Sequence, residues 1–446
     1  MFKRKSKVPT TRYGTGINLD FPESVVRLEN PDSVRKSHAW TFGTTRVGKT
    51  RKLENIVEQD IKKGYSVVVI DPKSDLELFS KIAHVALEEG REEDLMLVTP
   101  IFPDFSAIID PLASYYLPEE LVAHITAGVP IGRDPFFYAI AYEVSLIIVQ
   151  ALLLISEVQG VRAQFNLNDV KNLVGYEELK ALRERLEYVD TPIAQQLCLD
   201  LSKVLATPQD YFSKVASSLR TSLMELTTGN VGKIIGCADE NRFIKRIEEG
   251  KSVIMVVQLG ALLTKQAAYT TGKVIISMIQ SLVGRVLATG RTLDPPLALH
   301  IDEASSLLYN GIEELWAKGG GANLYIHGYA QSVSQLYDAV GDDKAHVILD
   351  NCNTKFFMRV PDEKTAHYVT EHLGLAKRFS PILSVGGGLT IREAEEPRVK
   401  HTEVMQLQER EFFMQTYSGI YRGRTEKVSD CPLKICFPEI NTSSKY

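Results

Sequence analysis

Cysteine is scarce in this sequence, and no long stretch is free of polar residues. Its five cysteines in 446 residues, Cys198, Cys237, Cys352, Cys431 and Cys436, form no CxxC pair and no second pair at zinc-ligand spacing. That excludes a zinc ribbon and a disulfide-stapled scaffold. With no signal-peptide pattern at the start, it fits a reducing cytoplasm. The most apolar stretch, 136–155, contains Glu143, Tyr138, Tyr142, Ser145 and Gln150, which is the pattern of a buried helix rather than a membrane span. No internal repeat is present, and the low-complexity pieces are the glycine runs 319–321 and 386–388. An excess of one charge is also missing: 51 Lys+Arg stand against 56 Asp+Glu, a net charge of −5. A nucleic-acid contact would therefore be a local groove or a ring lumen, not a basic surface.

What is present is ample apolar material, 44% hydrophobic residues against 24% charged. That is enough for a sizeable core, and the length predicts two or three domains. One basic cluster, Lys3, Arg4, Lys5, Lys7 and Arg12, reads as a solvated arm, with a tether to anionic lipid or to a membrane partner as the sharper alternative. Residues 1–30, punctuated by Pro9, Gly14, Gly16 and Pro22, read as an arm with room for one short strand.

Regular alternation starts at 38–42, a short strand ending in a glycine turn. The apolar spacing of Leu53, Ile56, Val57 and Ile61 predicts a helix over 51–63 that stops at Gly64. Residues 65–70 form a β-branched run of the kind buried on both faces of a parallel sheet. Strand, glycine loop, helix and strand make a βαβ unit. From 117 to about 228 the periodicity is helical, with helices expected at 117–127, 136–157, 176–188, 193–205 and 209–227, the last capped by Asp210. Strand signals return at 252–257, 297–301, 323–328 and 355–360, alternating with helices at 265–288, 312–318 and 366–373; from 382 the tail reads as hairpins turning at 386–388. The predicted organisation is an arm (1–30), an α/β nucleotide-binding domain (31–114 and 229–425), an all-α insert (115–228) and a tail (426–446).

Two motifs carry chemistry. Gly43-Thr44-Thr45-Arg46-Val47-Gly48-Lys49-Thr50 matches G-x-x-x-x-G-K-[ST] and sits between a strand and a helix, the context a P-loop requires. Its glycines let backbone N–H groups curl toward phosphate oxygens, and the helix N-terminus adds a favourable dipole. Lys49 would reach the β- and γ-phosphates of ATP, and the Thr50 hydroxyl would ligate Mg²⁺. Leu297-Ala298-Leu299-His300-Ile301-Asp302-Glu303 reads as a buried strand delivering two acids at its C-terminal end. Asp302 would hold Mg²⁺, directly or through water, and Glu303 would polarise the attacking water, whereas His300 alternates into the core. The next strand ends in Tyr329-Ala330-Gln331-Ser332, so Gln331 would place an amide against the γ-phosphate; the competing reading is a helix cap at Ser332 with a solvated Gln331. Asp71-Pro72-Lys73 is either a proline-stiffened turn or a site where Asp71 faces nucleotide. Tyr115, Tyr116, Phe136, Phe137 and Tyr138 suit core packing of the helical insert better than base stacking.

These motifs, in the order 43–50, Asp71-Pro72-Lys73-Ser74-Asp75, inserted helices, His300-Ile301-Asp302-Glu303 and Ala330-Gln331-Ser332, resemble those of type IV coupling proteins, the TraD/TraG-type motors of conjugative transfer, over about residues 38–425. The resemblance implies a RecA-like P-loop NTPase fold with a mostly parallel central sheet and an inserted all-α domain. It implies a homo-hexameric ring with ATP between subunits, single-stranded DNA in the channel, and docking onto a relaxase or other secretion substrate and onto inner-membrane components of a type IV secretion system. By match of motif, Lys49, Thr50, Asp302, Glu303 and Gln331 take the roles given above. Such proteins carry two N-terminal transmembrane helices and no such pair is read here, so the expectation is a cytoplasmic chain peripheral to the inner membrane. They also carry an arginine, a candidate trans-acting finger, where this sequence reads Lys318-Gly319-Gly320-Gly321-Ala322. Lys318, Arg359, Arg378 and Arg392 are the available substitutes, and without one hydrolysis is expected to be slow. Two other readings remain: a duplex-DNA ring motor of the FtsK/HerA type, and a non-hydrolysing, nucleotide-gated platform that recruits secretion substrates.

Overall fold

The computed structural model describes residues 8–130, 136–383 and 389–440, with backbone alone at 378–383 and 389–392. Its centre is one eleven-stranded sheet in the order β2-β1-β13-β12-β9-β3-β8-β7-β4-β6-β5. The strands are β1 Thr10–Asn18, β2 Val25–Pro31, β3 Ala39–Phe42, β4 Ser66–Asp71, β5 Leu95–Val98, β6 Ile254–Gln258, β7 Leu297–Ile301, β8 Leu324–Ala330, β9 Thr354–Phe357, β12 Glu411–Thr416 and β13 Gly419–Thr425; a separate antiparallel hairpin joins β10 Leu375–Leu383 to β11 Leu389–Pro397. Strands β9 through β5 of the sheet pair in parallel, and the antiparallel pairings gather on the β2-β1-β13-β12 side.

The parallel part is continuous and apolar because helices cover both of its faces. Strand side chains alternate between faces, and β4 shows the result. Val67 and Val69 pack with Leu53, Val57 and Ile61 of the helix Lys49–Lys62 and with Leu78, Phe79 and Ile82 of the helix Leu76–Glu88. Val68 and Ile70 join the larger cluster on the other face, with Leu299, Ile301 and Val274, Ile275 and Met278 of the helix Ala261–Ala288. Each such fully buried aliphatic side chain contributes about 1.5–3 kcal/mol. The core also holds a polar knot. Arg35 donates to both carboxylate oxygens of Asp60, the second contact at 2.8 Å, and His300 lies 3.2 Å from Asp60. Burial would lift the Asp60 carboxyl, but the Arg35 and His300 partners hold it far below its usual range. His300 is thus a core histidine, as its alternation predicts.

The helical stretch comprises Pro118–Thr126, Phe136–Val158, Leu167–Lys171, Tyr176–Leu186, Pro192–Leu205, Gln209–Val215 and Ser217–Thr227, with no strand among its described residues. The expected 209–227 helix is interrupted at Ala216, and its first part starts after Pro208 rather than at an Asp210 cap. Phe136–Val158 and Ala261–Ala288 are each long and apolar enough to cross a membrane by length and composition. In this fold the second connects β6 to β7 and buries its apolar positions in the core, while the first packs on its neighbouring helices and keeps a half-exposed flank.

Three expectations are corrected. Residues 10–31 are not an arm: β1 and β2 form a hairpin that extends the sheet by pairing β1 with β13. Within it Arg12 pairs with Glu29 at 3.4 Å, whereas Lys3, Arg4, Lys5 and Lys7 lie outside the described residues, as does the turn at 386–388. The strand expected at 355–360 ends at Phe357, and the helices Ser334–Val340 and Asp342–Asp350 precede it. Finally, Tyr116 is 77% exposed and Tyr115, Phe136 and Phe137 are also exposed, so these aromatics do not fill the core; Tyr138 packs against it.

Candidate nucleotide site

Four neighbouring strands end at one edge of the sheet. Phe42 of β3 pairs with Ala330 of β8, Ile301 of β7 pairs with Gly328 of β8, and Ile70 of β4 pairs with Ile301. Their next residues are Gly43, Gln331, Asp302 and Asp71, so side-by-side parallel strands deliver the P-loop, the amide, the acid pair and the Asp71 turn to one C-terminal edge. With strands about 4.8 Å apart, β3 and β7 stand about 10 Å from each other, the span of a triphosphate.

The P-loop is built by backbone constraints. The Gly43 N–H donates to Ala330 O at 3.1 Å and the Thr44 N–H to Arg359 O at 2.9 Å, which ties the loop to the ends of β8 and β9. A Cβ on Gly43 would lie 2.9 Å from Met358 Cβ, closer than packing allows. Gly48 has φ 100°, beyond what an L side chain adopts comfortably, and Arg46 accepts φ 58°. Gly48 opens the helix Lys49–Lys62 with no side-chain cap hydrogen bond, which leaves the first-turn N–H groups for an anion. The Lys49 ammonium folds back to donate to Gly43 O at 2.5 Å and Thr44 O at 2.8 Å. Burial pulls its pKa down to about 8 against the attraction of Asp302 and Glu303, and Lys73 adds to the drop. The field of both acids therefore reaches Lys49.

The acid pair is clasped by a residue that the sequence reading did not single out. Lys73 Nζ lies 3.1 Å from Asp302 and 3.2 Å from Glu303. Burial would lower the Lys73 pKa, but the two acids outweigh it and hold it above the usual lysine value. Glu303 sits at φ 47°, ψ 39°, a left-handed conformation costly for a residue with a side chain and concentrated at functional sites. Asp71 is spent on the turn: its carboxylate accepts the Lys73 N–H at 2.9 Å and the Asp75 N–H at 2.5 Å. Burial lifts its pKa to about 7 against those two N–H donors, and Asp302 adds to the rise. The stiffened-turn reading of Asp71-Pro72-Lys73 is the one this geometry favours.

Gln331 follows β8 between the P-loop strand and the acid strand. Its N–H donates to Gln335 Oε1 at 3.2 Å, and the next helix starts after Val333, so Ser332 is not the helix cap. Arg359 is exposed beside the loop, holding Thr44 through its carbonyl. Lys318 lies at the opposite, N-terminal edge of β8, paired with Glu314. Its neighbour Gly320 is glycine for a steric reason: a Cβ there would stand 2.0 Å from Lys36 O. The side chains of Arg378 and Arg392 lie outside the described residues.

The groups present fit a nucleotide and a magnesium ion. Thr50 and Asp302 are hard oxygen donors suited to Mg²⁺, and Gly43 and Gly48 clear a backbone cradle. Beside the cradle, Arg51, Leu76, Arg410 and the chain from Glu426 to Phe437 line a cavity of about 760 Å³. Arg410 belongs to the loop through its N–H, which donates to Val47 O at 2.8 Å.

A family model described as the TraM recognition site of TraD and TraG matches residues 296–408, the part carrying β7, the acid pair and Gln331. The type 4 coupling protein DotL of Legionella pneumophila is 33% identical over 63 residues, 14% of this chain and 8% of that protein's length. The bacterial conjugative coupling protein TrwBdeltaN70, in its unbound form, superposes with a TM-score of 0.70 at 16% identity, covering 97% of this chain and 96% of that one. TrwB in complex with the non-hydrolysable ATP analogue ADPNP gives a TM-score of 0.69 at 16% identity over 98% and 97% of the two chains, and TrwB with ADP and Mg²⁺ gives 0.65 at 15% over 97% and 98%. The fold is that of the RecA-like α/β NTPases. Family match, curated relative and fold agree in direction: over the matched residues this chain is similar to type IV coupling proteins of the TraD/TraG kind, and as a whole it shares the TrwB fold.

Proposed function

We propose that this chain is an ATP-hydrolysing motor that couples a relaxase–DNA substrate to a conjugative type IV secretion channel and drives single-stranded DNA through a homo-hexameric ring. The observation that carries the reading is the delivery of residues 43–50, Gln331 and the Asp302–Glu303 pair to one sheet edge by adjacent parallel strands. Residues 43–50 would hold the triphosphate, with Lys49 turning from the loop carbonyls to the β- and γ-phosphates. The base and ribose would extend past Arg51 into the cavity under the tail. Thr50 and Asp302 would hold Mg²⁺, whose charge would offset that of the phosphates. Glu303 would take the proton of the attacking water, and Gln331 would sense the γ-phosphate. Docking onto relaxase or another secretion substrate falls to the helical region 115–228. The region matched as a TraM recognition site adds a relaxosome contact, and inner-membrane components of the secretion system hold the chain at the cytoplasmic face.

One observation favours a second reading, the nucleotide-gated recruitment platform: the segment where relatives carry an arginine packs Gly320 against Lys36 with no room for a side chain. The test is the ATPase rate as a function of protein concentration, with single-stranded DNA, with duplex DNA and without either. A steep concentration dependence with stimulation by single strands supports the motor. Tight ATP binding with only background turnover under all three conditions supports the platform, and stimulation by duplex alone supports the FtsK/HerA type.

A further inference from the structure

We propose that Lys73 is a positioning residue of the acid pair, a resident counter-cation that neutralises Asp302 and Glu303 before nucleotide arrives and that a divalent metal ion must displace. The inference rests on the nucleotide-site reading above and goes beyond its motifs.

The geometry argues that this contact is built. Lys73 is fixed at its backbone, because the Asp71 carboxylate takes its N–H and the turn is pinned from below. The Gly260 N–H donates to Ser74 Oγ at 2.8 Å, the Ala261 N–H to Pro72 O at 2.8 Å and the Leu259 N–H to Asp71 O at 3.2 Å. Ser74 accepts φ 62° to complete the turn. An anchored Cα leaves only the four-carbon stem to swing, so the ammonium is confined to the sheet edge where β4 and β7 end side by side. There it meets two carboxylates at 3.1 and 3.2 Å. One of these, Asp302, is the donor that the metal needs. A lysine ammonium and a metal ion cannot share that oxygen at close range without strong repulsion. Occupation of the site by metal therefore expels Lys73, and the same anchored stem leaves the ammonium beside the space assigned to the γ-phosphate. The acid pair is thus kept compensated in the nucleotide-free protein, and loading costs the breaking of two ion pairs.

The test uses Mn²⁺ as the probe on the full chain without nucleotide, in the wild type, Lys73→Met, Lys73→Arg and Lys73→Met/Asp302→Asn, with binding read by electron paramagnetic resonance. The Lys73 side chain is 44% exposed, so its replacement leaves the core packing untouched. Lys73→Met is expected to bind Mn²⁺ more tightly by about tenfold or more, because removing one cation beside the ligand raises the local negative potential. Lys73→Arg is expected to stay near wild type, and Asp302→Asn to abolish the gain. Equal Mn²⁺ affinity in wild type and Lys73→Met overturns the proposal, as does a gain that survives Asp302→Asn. ATP binding by the wild type is measured in parallel. Its absence would sink the nucleotide-site reading while the metal-only result still judged Lys73, and its presence with unchanged Mn²⁺ affinity would sink Lys73 alone.

Discussion

Lys49 should make nucleotide affinity fall as the pH rises through about 8. In the nucleotide-free protein its pKa is drawn down to about 8, first by burial. A bound triphosphate favours the charged ammonium, so above pH 8 binding must take up a proton. The sign follows: affinity is flat while Lys49 is already charged and weakens tenfold per pH unit, about 1.4 kcal/mol, once it is neutral. Between pH 7.5 and 9.5 the dissociation constant should rise by about 25-fold, close to 2 kcal/mol. The window starts at 7.5 because Asp71 titrates near 7. Lys73 and Arg51 hold raised pKa values and stay charged across it, and the ionisation of phosphate is complete. Calorimetry in two buffers of different ionisation enthalpy, at pH 7.5 and 9.5, would report both the affinity and the proton taken up. Lys49→Arg, charged throughout, should show neither effect. A change of less than threefold in the wild type, or an equal fall in Lys49→Arg, would refute the reasoning.

Three further outcomes are expected. Glu303→Gln should keep ATP affinity and lose turnover by about 10²–10⁴, the usual worth of a general base, and wild-type turnover in that variant removes Glu303 from the role. Asp60→Leu should cost about 3–5 kcal/mol in denaturant unfolding, because it strands the buried Arg35 guanidinium, while Arg35→Met with Asp60→Leu should recover most of the loss; a double variant no better than the single one argues against the buried pair as the cause. Gly320→Arg, which puts an arginine into the 318–322 segment, should lower the melting temperature through overpacking worth about 1–3 kcal/mol, and an unchanged melting curve would show that Lys36 yields.

What could be read from the chain alone was whatever its function requires of neighbouring residues. The P-loop needs glycines, a lysine and a hydroxyl within eight positions, and β4 and β7 need short, mostly apolar runs, so each announces itself locally. The hairpin of β1 and β2 does not, because the partner that turns it from an arm into part of the sheet is β13, some four hundred residues away. The short strand β5 shows too little alternation to be seen, and its pairing with β6 crosses the whole helical region. The exposed aromatics misled for a related reason: composition says that a ring favours burial, but which flank of a helix is covered depends on neighbours that periodicity does not name.

Lys73 marks the limit most clearly. Its motif was visible, and within it Asp71 drew attention as the acid at a strand end. The turn then consumes Asp71 in two backbone hydrogen bonds, and the lysine becomes the side chain facing the site, toward acids 229 positions later. Gly320 is the converse. It lies in the segment 318–322 where the resemblance places an arginine, and a side chain at this position is ruled out by the backbone of Lys36, which approaches too closely for any Cβ. In both places the residue type is dictated by a strand pairing or close approach made elsewhere in the chain. A lone motif therefore names the chemistry at this edge of the sheet, but the charge balance that governs it is set only when β4 and β7 lie side by side.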